Sequence, residues 1–450
     1  MKKDCVRYLS LCGLLGYGYA PESLKNALAM DLDFVGVDAG STDPGPYYLG
    51  SGKGFVKALQ VKRDLQLILP EIKQRKIPLI IGSAGGSGAA EHVRSVLDII
   101  GEIARENALE FKTAVIYSDL SEETIRQAAD GHLFSCGGSP EFDPEIIGRL
   151  SNPVAQFGTE PIIEALQTGA EVIVAGRCCD TAVFASYPIW KGFPAGLALH
   201  AAKIAECGAL CALPVGANDS LVVELYQDHF TVEPPNPARR CTPESVAAHS
   251  LYEQPDPNCF YEPEGKIDLS GCEFEALNDR KVKVTGSSLI PAEKQTTKLE
   301  GAGLVGFRAI TIAGIQDPEA IRHLDEIASG VREAVAQSAN FISPQEYTLR
   351  FLRYGLDAVS PVQNGVEHFP REVGLVIEAI APEQAQAQAL IGLARSKALH
   401  QGFPGRKATA GNLAFPFSPS DFSGGEVYEF FLYHLTDLPL KFTPEVRIIK

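Results

Sequence analysis

The sequence predicts an α/β protein with three parts: an N-terminal, doubly wound, mostly parallel sheet, a β-rich connection and a ferredoxin-like α+β unit. Up to residue 216, short apolar runs and glycine-containing loops alternate with amphipathic stretches, which is typical of βαβ units. Residues 217–302 shift to proline, asparagine, acidic residues and short alternating runs. In 303–450 the predicted elements follow the order βαββαβ. We therefore divide the chain into an α/β ligand-binding domain, a connecting segment or subdomain, and a ferredoxin-like domain.

The elements of the first part follow from its apolar runs. Residues 1–20 are predicted to contain a first strand rather than a signal peptide, because Asp4 and Arg7 interrupt the apolar stretch. Helices are predicted at about 54–73, after the glycine-rich run that ends at 88, and after Ser121, which suits an N-cap. Further strands are predicted at 34–37, 78–81, 113–117 and 172–175.

The C-terminal third has its own start and stop signals. Asp317 followed by Pro318 predicts a helix N-terminus, with an N-cap carboxylate and a proline at the first position. A second helix is predicted from Pro382 to about 399. Strands are predicted at 304–313, 347–354, 372–380 and 427–435.

Composition excludes several classes of protein. The 450 residues are 45% hydrophobic and 21% charged, which is typical of globular domains. A net charge of −16 without a basic run argues against nucleic-acid binding, and no segment is apolar enough to span a membrane. The ten cysteines form no C-x-x-C pair, so we expect reduced thiols in the cytoplasm.

The first candidate site is the long loop after the strand at 34–37. Most strand-to-helix loops have two to six residues, but this one continues to Gly52. Asp38 and Asp43 are candidate general bases, and Ser41 and Thr42 are candidate substrate contacts. The alternative is a loop whose side chains satisfy its own backbone.

The second candidate is the run GSAGGSG at 82–88. Ser83, Gly85 and Gly86 are predicted to let backbone N–H groups approach an anion at the start of a helix. The alternative is a plain tight turn. The run matches neither dinucleotide-binding nor P-loop patterns, so no nucleotide cofactor is expected.

The third candidate is AGRCCDTA at 175–182. Arg177 is predicted to hold a substrate carboxylate, and Asp180 to orient it or act as acid or base. An internal Arg177–Asp180 ion pair is the alternative. Cys178 and Cys179 are interpreted as packing residues rather than nucleophiles.

Two further positions complete the predicted site. His200, on a predicted helix one turn before Lys203, is a candidate proton carrier. Asn236 is a candidate substrate-binding residue. Cofactors stay open: Mg²⁺ bound by Asp38, Asp43 and Asp180 is one alternative.

Five segments together resemble one known family. GVDAGSTDPGPYYLGSG, IIGSAGGSG, VAGRCCDTAVF, AECGA and NLAFPFSPSDF are similar to motifs of the acyclic terpene utilisation (AtuA) family, from about residue 36 to 435. The resemblance implies CoA-linked degradation of branched or unsaturated acids, and an association with a small ferredoxin-fold partner in some members. The family usually carries small or hydroxylated residues where Cys178 and Cys179 stand, which weakens a cysteine mechanism further.

These observations predict an enzyme acting on a small carboxylic acid or its CoA thioester, in the lyase (hydratase) class. A non-catalytic acyl-binding or scaffold subunit that works with a small ferredoxin-fold partner, and an amide or thioester hydrolase, remain alternatives. A small carboxylate or acyl-CoA is the expected ligand, and a homo-oligomer is the expected assembly. Neither nucleic acid nor a membrane is expected as a partner.

Overall fold

The structure is a computed structural model that describes residues 4–139, 141–216, 218–360, 370–408 and 412–450. The chain forms two compact units: Met1–Gly303 with Phe430–Lys450, and Leu304–Glu429. In these described ranges the strands are β1 Val6–Ser10, β2 Phe34–Asp38, β3 Leu79–Gly82, β4 Phe111–Ile116, β5 Leu133–Ser135, β6 Leu150–Gln156, β7 Val172–Ala175, β8 Leu221–Leu225, β9 His229–Glu233, β10 Cys259–Glu262, β11 Gly265–Asp268, β12 Glu273–Ala276, β13 Val282–Thr285, β14 Ser288–Pro291, β15 Thr297–Ile315, β16 Thr348–Tyr354, β17 Val373–Ala381, β18 Asp421–Thr436 and β19 Glu445–Ile449.

The helices are α1 Pro21–Leu28, α2 Pro46–Ser51, α3 Ala58–Arg75, α4 Ala90–Glu106, α5 Glu122–Ala129, α6 Glu160–Gln167, α7 Asp180–Trp190, α8 Ala195–Ala205, α9 Pro243–Ser250, α10 Pro318–Arg322, α11 Leu324–Ser338 and α12 Gln384–His400. Two short 3₁₀ helices cover Pro144–Arg149 and Gly208–Cys211. Among the described helices, none combines the length and apolar character that crossing a bilayer requires.

The first unit is built on a ten-stranded sheet in the order β12-β13-β9-β8-β1-β2-β3-β7-β4-β19. Only β1, β2, β3, β7 and β4 run parallel to one another. The strands that residues 1–216 contribute to this sheet are thus parallel, as predicted, whereas the outer strands, all from later in the chain, pair antiparallel and make the sheet as a whole mixed. The physical reason is that hairpins from the segment after residue 217 extend one edge, and the C-terminal strand extends the other.

Both faces of the central strands are buried, as the alternation of their side chains requires. Phe34 and Ile80 pack into a core on one face, and Val35 and Ile81 pack into a core on the other. Parallel strands bring their carboxyl ends to one edge of the sheet. The ends of β2, β3 and β7 therefore place Asp38, Gly82 and the loop after Ala175 side by side.

The region 217–302 does not stand apart from the first unit. Strands β8, β9, β12 and β13 belong to the ten-stranded sheet, while β10, β11 and β14 form a separate three-stranded antiparallel sheet. The predicted three-part division thus differs from the two compact units observed.

The second unit contains the end of β15, the helices α10, α11 and α12, the strands β16 and β17, and the start of β18. Strand β17 pairs antiparallel with both β15 and β16. The helices α11 and α12 pack together, and their apolar faces share one core with the strands. Asp317 caps α10 by accepting from Glu319 N, which confirms the predicted helix start.

Candidate functional site

The loops after β2, β3 and β7 are in direct contact. A Cβ atom added to Gly82 would lie 3.1 Å from Cys178 Sγ and 3.6 Å from Asp38 Oδ1. A Cβ atom added to Gly88, whose φ is +69°, would lie 2.1 Å from the backbone nitrogen of Arg177. Glycine is therefore required at 88, and the loop after β3 fits directly against the loop after β7.

Arg177 is almost fully buried and makes several polar contacts inside the protein. Its Nε donates to Glu300 Oε2 at 2.9 Å, and its Nη1 donates to Ser83 Oγ at 3.2 Å. Nη1 also lies 3.6 Å from Asp180 Oδ1, a longer ion-pair distance. The main anion that Arg177 holds is thus a carboxylate of its own chain, which differs from the predicted role of a free substrate-binding guanidinium.

Glu300 is the centre of this buried network. It accepts from Arg177, from Lys298 Nζ at 2.8 Å and from Thr42 Oγ1 at 3.0 Å. Burial alone would raise the pKa of Glu300, but the charges of Arg177 and Lys298 outweigh it and hold the pKa at about 2. Glu300 is therefore an ionised anchor that fixes both cations, and not a proton carrier.

Asp38 lies beside this network with unused hydrogen-bonding capacity. Its Oδ2 accepts from Gly40 N at 3.1 Å, whereas Oδ1 has no hydrogen-bond partner among the described residues. Burial and the charge of Asp180 raise the pKa of Asp38 well above its usual range, although Arg177 opposes the shift. Asp38 and Asp180 therefore interact electrostatically, as their predicted convergence requires.

A pocket of about 310 Å³ opens next to Asp180 in the first unit. Three carboxyl groups line it, those of Asp180, Glu206 and Glu262, together with the ammonium groups of Lys203 and Lys298. The other lining residues are Gln156, Cys179, Tyr261, Pro263, Thr296 and Leu435. The volume lies near the lower end of the range for small-molecule sites, which fits a small ligand.

The three carboxyl groups differ in their surroundings. Lys203 Nζ donates to Glu206 Oε1 at 2.6 Å, although burial raises the pKa of Glu206 overall. Burial and the neighbouring charge of Glu264 raise the pKa of Glu262 to about 8. Burial also raises the pKa of Asp180, against the pull of the positive charges around it. A carboxylic acid that keeps its proton at neutral pH thus faces the same pocket as other acid groups, an arrangement suited to proton transfer.

The polar residues of the first loop are not gathered around this pocket. Ser41 Oγ donates to Asp43 Oδ2 at 2.7 Å, and Asp43 is exposed. Thr42 is directed to Glu300. Ser41 and Asp43 therefore bond to each other, whereas Thr42 is hydrogen-bonded into the buried network and Asp38 lies beside that network.

The glycine-rich run forms a tight turn in which two backbone amides donate to carbonyls of the chain. Ala84 N donates to Ala175 O and Gly86 N donates to Ser83 O, at 3.0 and 3.1 Å. Gly85 and Gly86 have positive φ, and Cβ atoms there would contact His92 and Phe55. At the start of α4, Ala90 N donates to Asp119 Oδ1 at 2.9 Å, so a carboxylate of the chain already occupies the helix N-terminus. The geometry favours the tight turn over the anion cradle.

His200 and Asn236 lie elsewhere. The ring nitrogens of His200 are hydrogen-bonded to Ser250 Oγ and Ser287 Oγ, neither of which belongs to a residue that lines the pocket. Burial lowers the pKa of His200 to about 3, so the ring is neutral at physiological pH. Asn236 Nδ2 donates to Asp219 Oδ2 at 2.7 Å.

The predicted Mg²⁺ ligands do not form a common set, because Asp43 is directed to Ser41. Within the described ranges, no group of three or more His, Cys, Asp or Glu side chains is arranged to hold a metal ion. Burial raises the pKa of both Cys178 and Cys179, which disfavours thiolate chemistry.

Several residues of the site escaped prediction. Glu262 lies in the region 217–302, for which no pattern of helices and strands could be predicted. Lys298 and Glu300 occupy alternate positions of β15, and two charges on one face of an apolar strand are the signal that identifies them. Glu206 stands next to the helix that carries Lys203, three positions away, a spacing that suits a pair on one helix face.

A family model described as acyclic terpene utilisation family protein AtuA matches residues 50–218 and 229–419. No curated protein and no solved structure matches the chain significantly.

Proposed function

Since this chain belongs to the acyclic terpene utilisation (AtuA) family, we propose that it is an enzyme of small-acid catabolism. Its substrate is a branched or unsaturated carboxylic acid or the CoA thioester of that acid, and its reaction is the addition or removal of water. The observation that carries the proposal is the pocket in which Asp180, Glu206 and Glu262 face Lys203 and Lys298.

Hydration of a double bond needs a proton donor, a base that activates water, and a positive group for the negative charge that develops next to the carbonyl. Glu262, whose pKa is about 8, is the proposed donor. Asp180 is the proposed base, with Asp38 behind it as a proton relay. Lys203 is the proposed group for the carboxylate or enolate charge, and Arg177 is a positioning residue because it holds Asp180 and Glu300 in place.

The test combines substrate screening with isotope exchange. The protein is incubated in D₂O with short branched and unsaturated acids and their CoA thioesters, and exchange of the α-proton is followed by NMR. Glu262→Gln and Asp180→Asn are expected to slow exchange by about 10²- to 10⁴-fold. Glu273→Gln, an exposed carboxyl on β12, is the matched control and keeps the rate of the parent protein.

Absence of exchange and turnover with every acid and thioester would refute the enzymatic proposal, and so would a Glu262→Gln variant as active as the control. Binding without turnover would favour the scaffold alternative. One observation supports that alternative: Arg177, Lys203 and Lys298 are each paired with carboxylates of the chain itself.

We further propose that the second unit is ferredoxin-like, with β18 beside β15. Its strands are neighbours in the order β16-β17-β15-β18, and Thr311 on β15 donates to Ser420 O, just before β18. In the scaffold alternative, this unit is the one that meets a small ferredoxin-fold partner. A cytoplasmic location is supported by the ten cysteines, all of which are free thiols.

A further inference from the structure

A second cavity of the first unit, about 730 Å³ in volume, shares no lining residue with the 310 Å³ pocket lined by Asp180, Glu206 and Glu262, which we call the acid pocket. Its walls come from the segment 237–243, from Leu213 and Pro214, and from the turn between β12 and β13. Three arginines line it, Arg239, Arg240 and Arg280, and Asp279 is the single acidic residue among the described lining residues. We call it the arginine cavity.

The charge of the arginine groups at this cavity is opposite in sign to the net charge of the chain. The protein carries a net charge of −16, yet three guanidinium groups gather at one opening. Two carboxylates outside the lining lie at ion-pair distance from two of the arginines: Asp219 lies 3.9 Å from Arg239, and Glu233 lies 3.8 Å from Arg280. Among the described residues, Arg239 and Arg280 thus have a carboxylate at ion-pair distance, whereas Arg240 has none.

The backbone around the arginines is held firmly in place. Arg280 donates through Nε to Arg239 O at 3.0 Å and through Nη2 to Asn236 O at 2.7 Å. These acceptors are neutral carbonyls, so they fix the guanidinium without cancelling its charge. Arg240 and Leu213 exchange two backbone hydrogen bonds, of 2.7 and 2.8 Å.

Arg240 differs from its two neighbours. Its side chain is exposed and makes no hydrogen bond or ion pair with any described residue. The fixed backbone thus presents a guanidinium that is available to an outside anion.

We propose that the arginine cavity binds a phosphate-bearing organic anion of nucleotide size. Arginine is the side chain best suited to phosphate, because its planar fork donates two parallel hydrogen bonds. The volume is within the range of small-molecule sites and exceeds what a single inorganic ion needs. Pro214, Pro237 and Pro243 supply apolar surface against which a base can lie. A free nucleotide and the adenosine phosphate portion of coenzyme A share this chemistry.

Binding is tested by calorimetry on the full chain with ADP, coenzyme A, inorganic phosphate and uncharged adenosine. ADP or coenzyme A is expected to bind, inorganic phosphate to bind more weakly, and adenosine to show no measurable binding. Arg240→Gln is expected to weaken binding about tenfold or more, since it removes hydrogen bonds to a charged group. Arg94→Gln, an exposed arginine of α4, loses the same charge outside the cavity and serves as the control.

The relative affinities of ADP and coenzyme A identify the source of the phosphate, and a preference for either one supports the proposal. Three results would overturn it: no binding by ADP or coenzyme A, equal affinity for adenosine and ADP, or equal affinity of the Arg240→Gln and Arg94→Gln variants. The readout is binding alone, so it is independent of whether the acid pocket is catalytic.

Discussion

The acid pocket and the arginine cavity are two charged sites of the same unit. They differ in whether their charged groups are buried and paired within the chain or exposed to solvent. The acid pocket pairs its cations with carboxylates of the chain, and burial shifts the pKa values of its acids toward neutral pH. The arginine cavity leaves a guanidinium exposed, and guanidinium groups keep their charge at every physiological pH. The difference shows two uses of charge. Burial moves the pKa of a carboxyl group into the range where it can exchange a proton, whereas an exposed guanidinium stays charged and can bind an anion from solution.

The largest loss of stability is expected when a buried charge next to the acid pocket is removed. Glu300→Ala leaves Arg177 and Lys298 without their common anion, and loss of one partner of a buried pair costs about 3–5 kcal/mol of unfolding free energy. Denaturant unfolding measures it. Glu71→Ala removes a half-exposed carboxylate paired with Arg75 and is expected to cost about 0.3–0.5 kcal/mol. Equal losses of unfolding free energy in the two variants would show that the buried network stabilises the fold no more than a surface ion pair does.

A second variant tests whether His200 contributes to stability or to catalysis. His200→Phe removes the ring that is hydrogen-bonded to Ser250 and Ser287, so the buried hydroxyl of Ser250 and the partly buried hydroxyl of Ser287 lose a partner, at a cost of about 1–3 kcal/mol. Activity per folded molecule is expected to stay unchanged, because these contacts lie outside the acid pocket. Thermal unfolding and turnover are measured on the same preparation. A stable but inactive variant would instead establish His200 as a proton carrier.

The pH dependence sharpens the contrast between the cavities. Because the pKa of Glu262 is raised to about 8, the folded state binds more protons than the unfolded state between about pH 4.5 and 8. Its contribution to stability is therefore full below the unfolded pKa and is lost as pH rises through about 8, by up to about 1.4 kcal/mol per pH unit. Turnover should fall about tenfold per unit above pH 8 as the donor loses its proton.

Glu262→Gln should remove the share of this pH dependence that Glu262 contributes, while the share of Glu206, whose pKa burial also raises, stays; unfolding curves of the variant and the parent protein from pH 5 to 9 would show the difference. Nucleotide binding to the arginine cavity should stay constant from about pH 7.5 to 9.5, since guanidinium groups do not titrate there. If both properties changed with the same midpoint, the two sites would not be chemically distinct.

The smallest loss of stability is expected when the exposed arginine of the arginine cavity is replaced. Arg240→Gln should change the unfolding free energy by no more than about 0.5 kcal/mol, because the side chain makes no contact that the fold needs. Denaturant unfolding beside the Glu300→Ala variant gives the contrast directly. A loss of several kcal/mol would make Arg240 a structural residue.

Local signals in the sequence predicted much of the fold. The strands near 34–37 and 172–175 and the caps at Ser121 and Asp317 depend on residues close together in the chain, and the structure has all of them. The antiparallel flanks were missed because periodicity defines a strand without defining its neighbour. The course of the chain after residue 217 was therefore open.

The site shows the same limit. Asp38, Arg177 and Asp180 were placed together correctly, since the carboxyl ends of parallel strands share an edge. The role of Arg177 could not be predicted, because its main partner, Glu300, lies 123 positions away in the chain. His200 appeared functional only because a lone histidine in a helix gives no indication of its burial.

The contact between the loops after β3 and β7 has a consequence for sequence divergence. Gly88 touches no proposed ligand and lines neither cavity, yet even one methyl group there would collide with the backbone of Arg177. The position is therefore expected to tolerate no replacement in any relative that keeps this site. A screen of random variants would count it among the essential residues without its taking part in any chemistry.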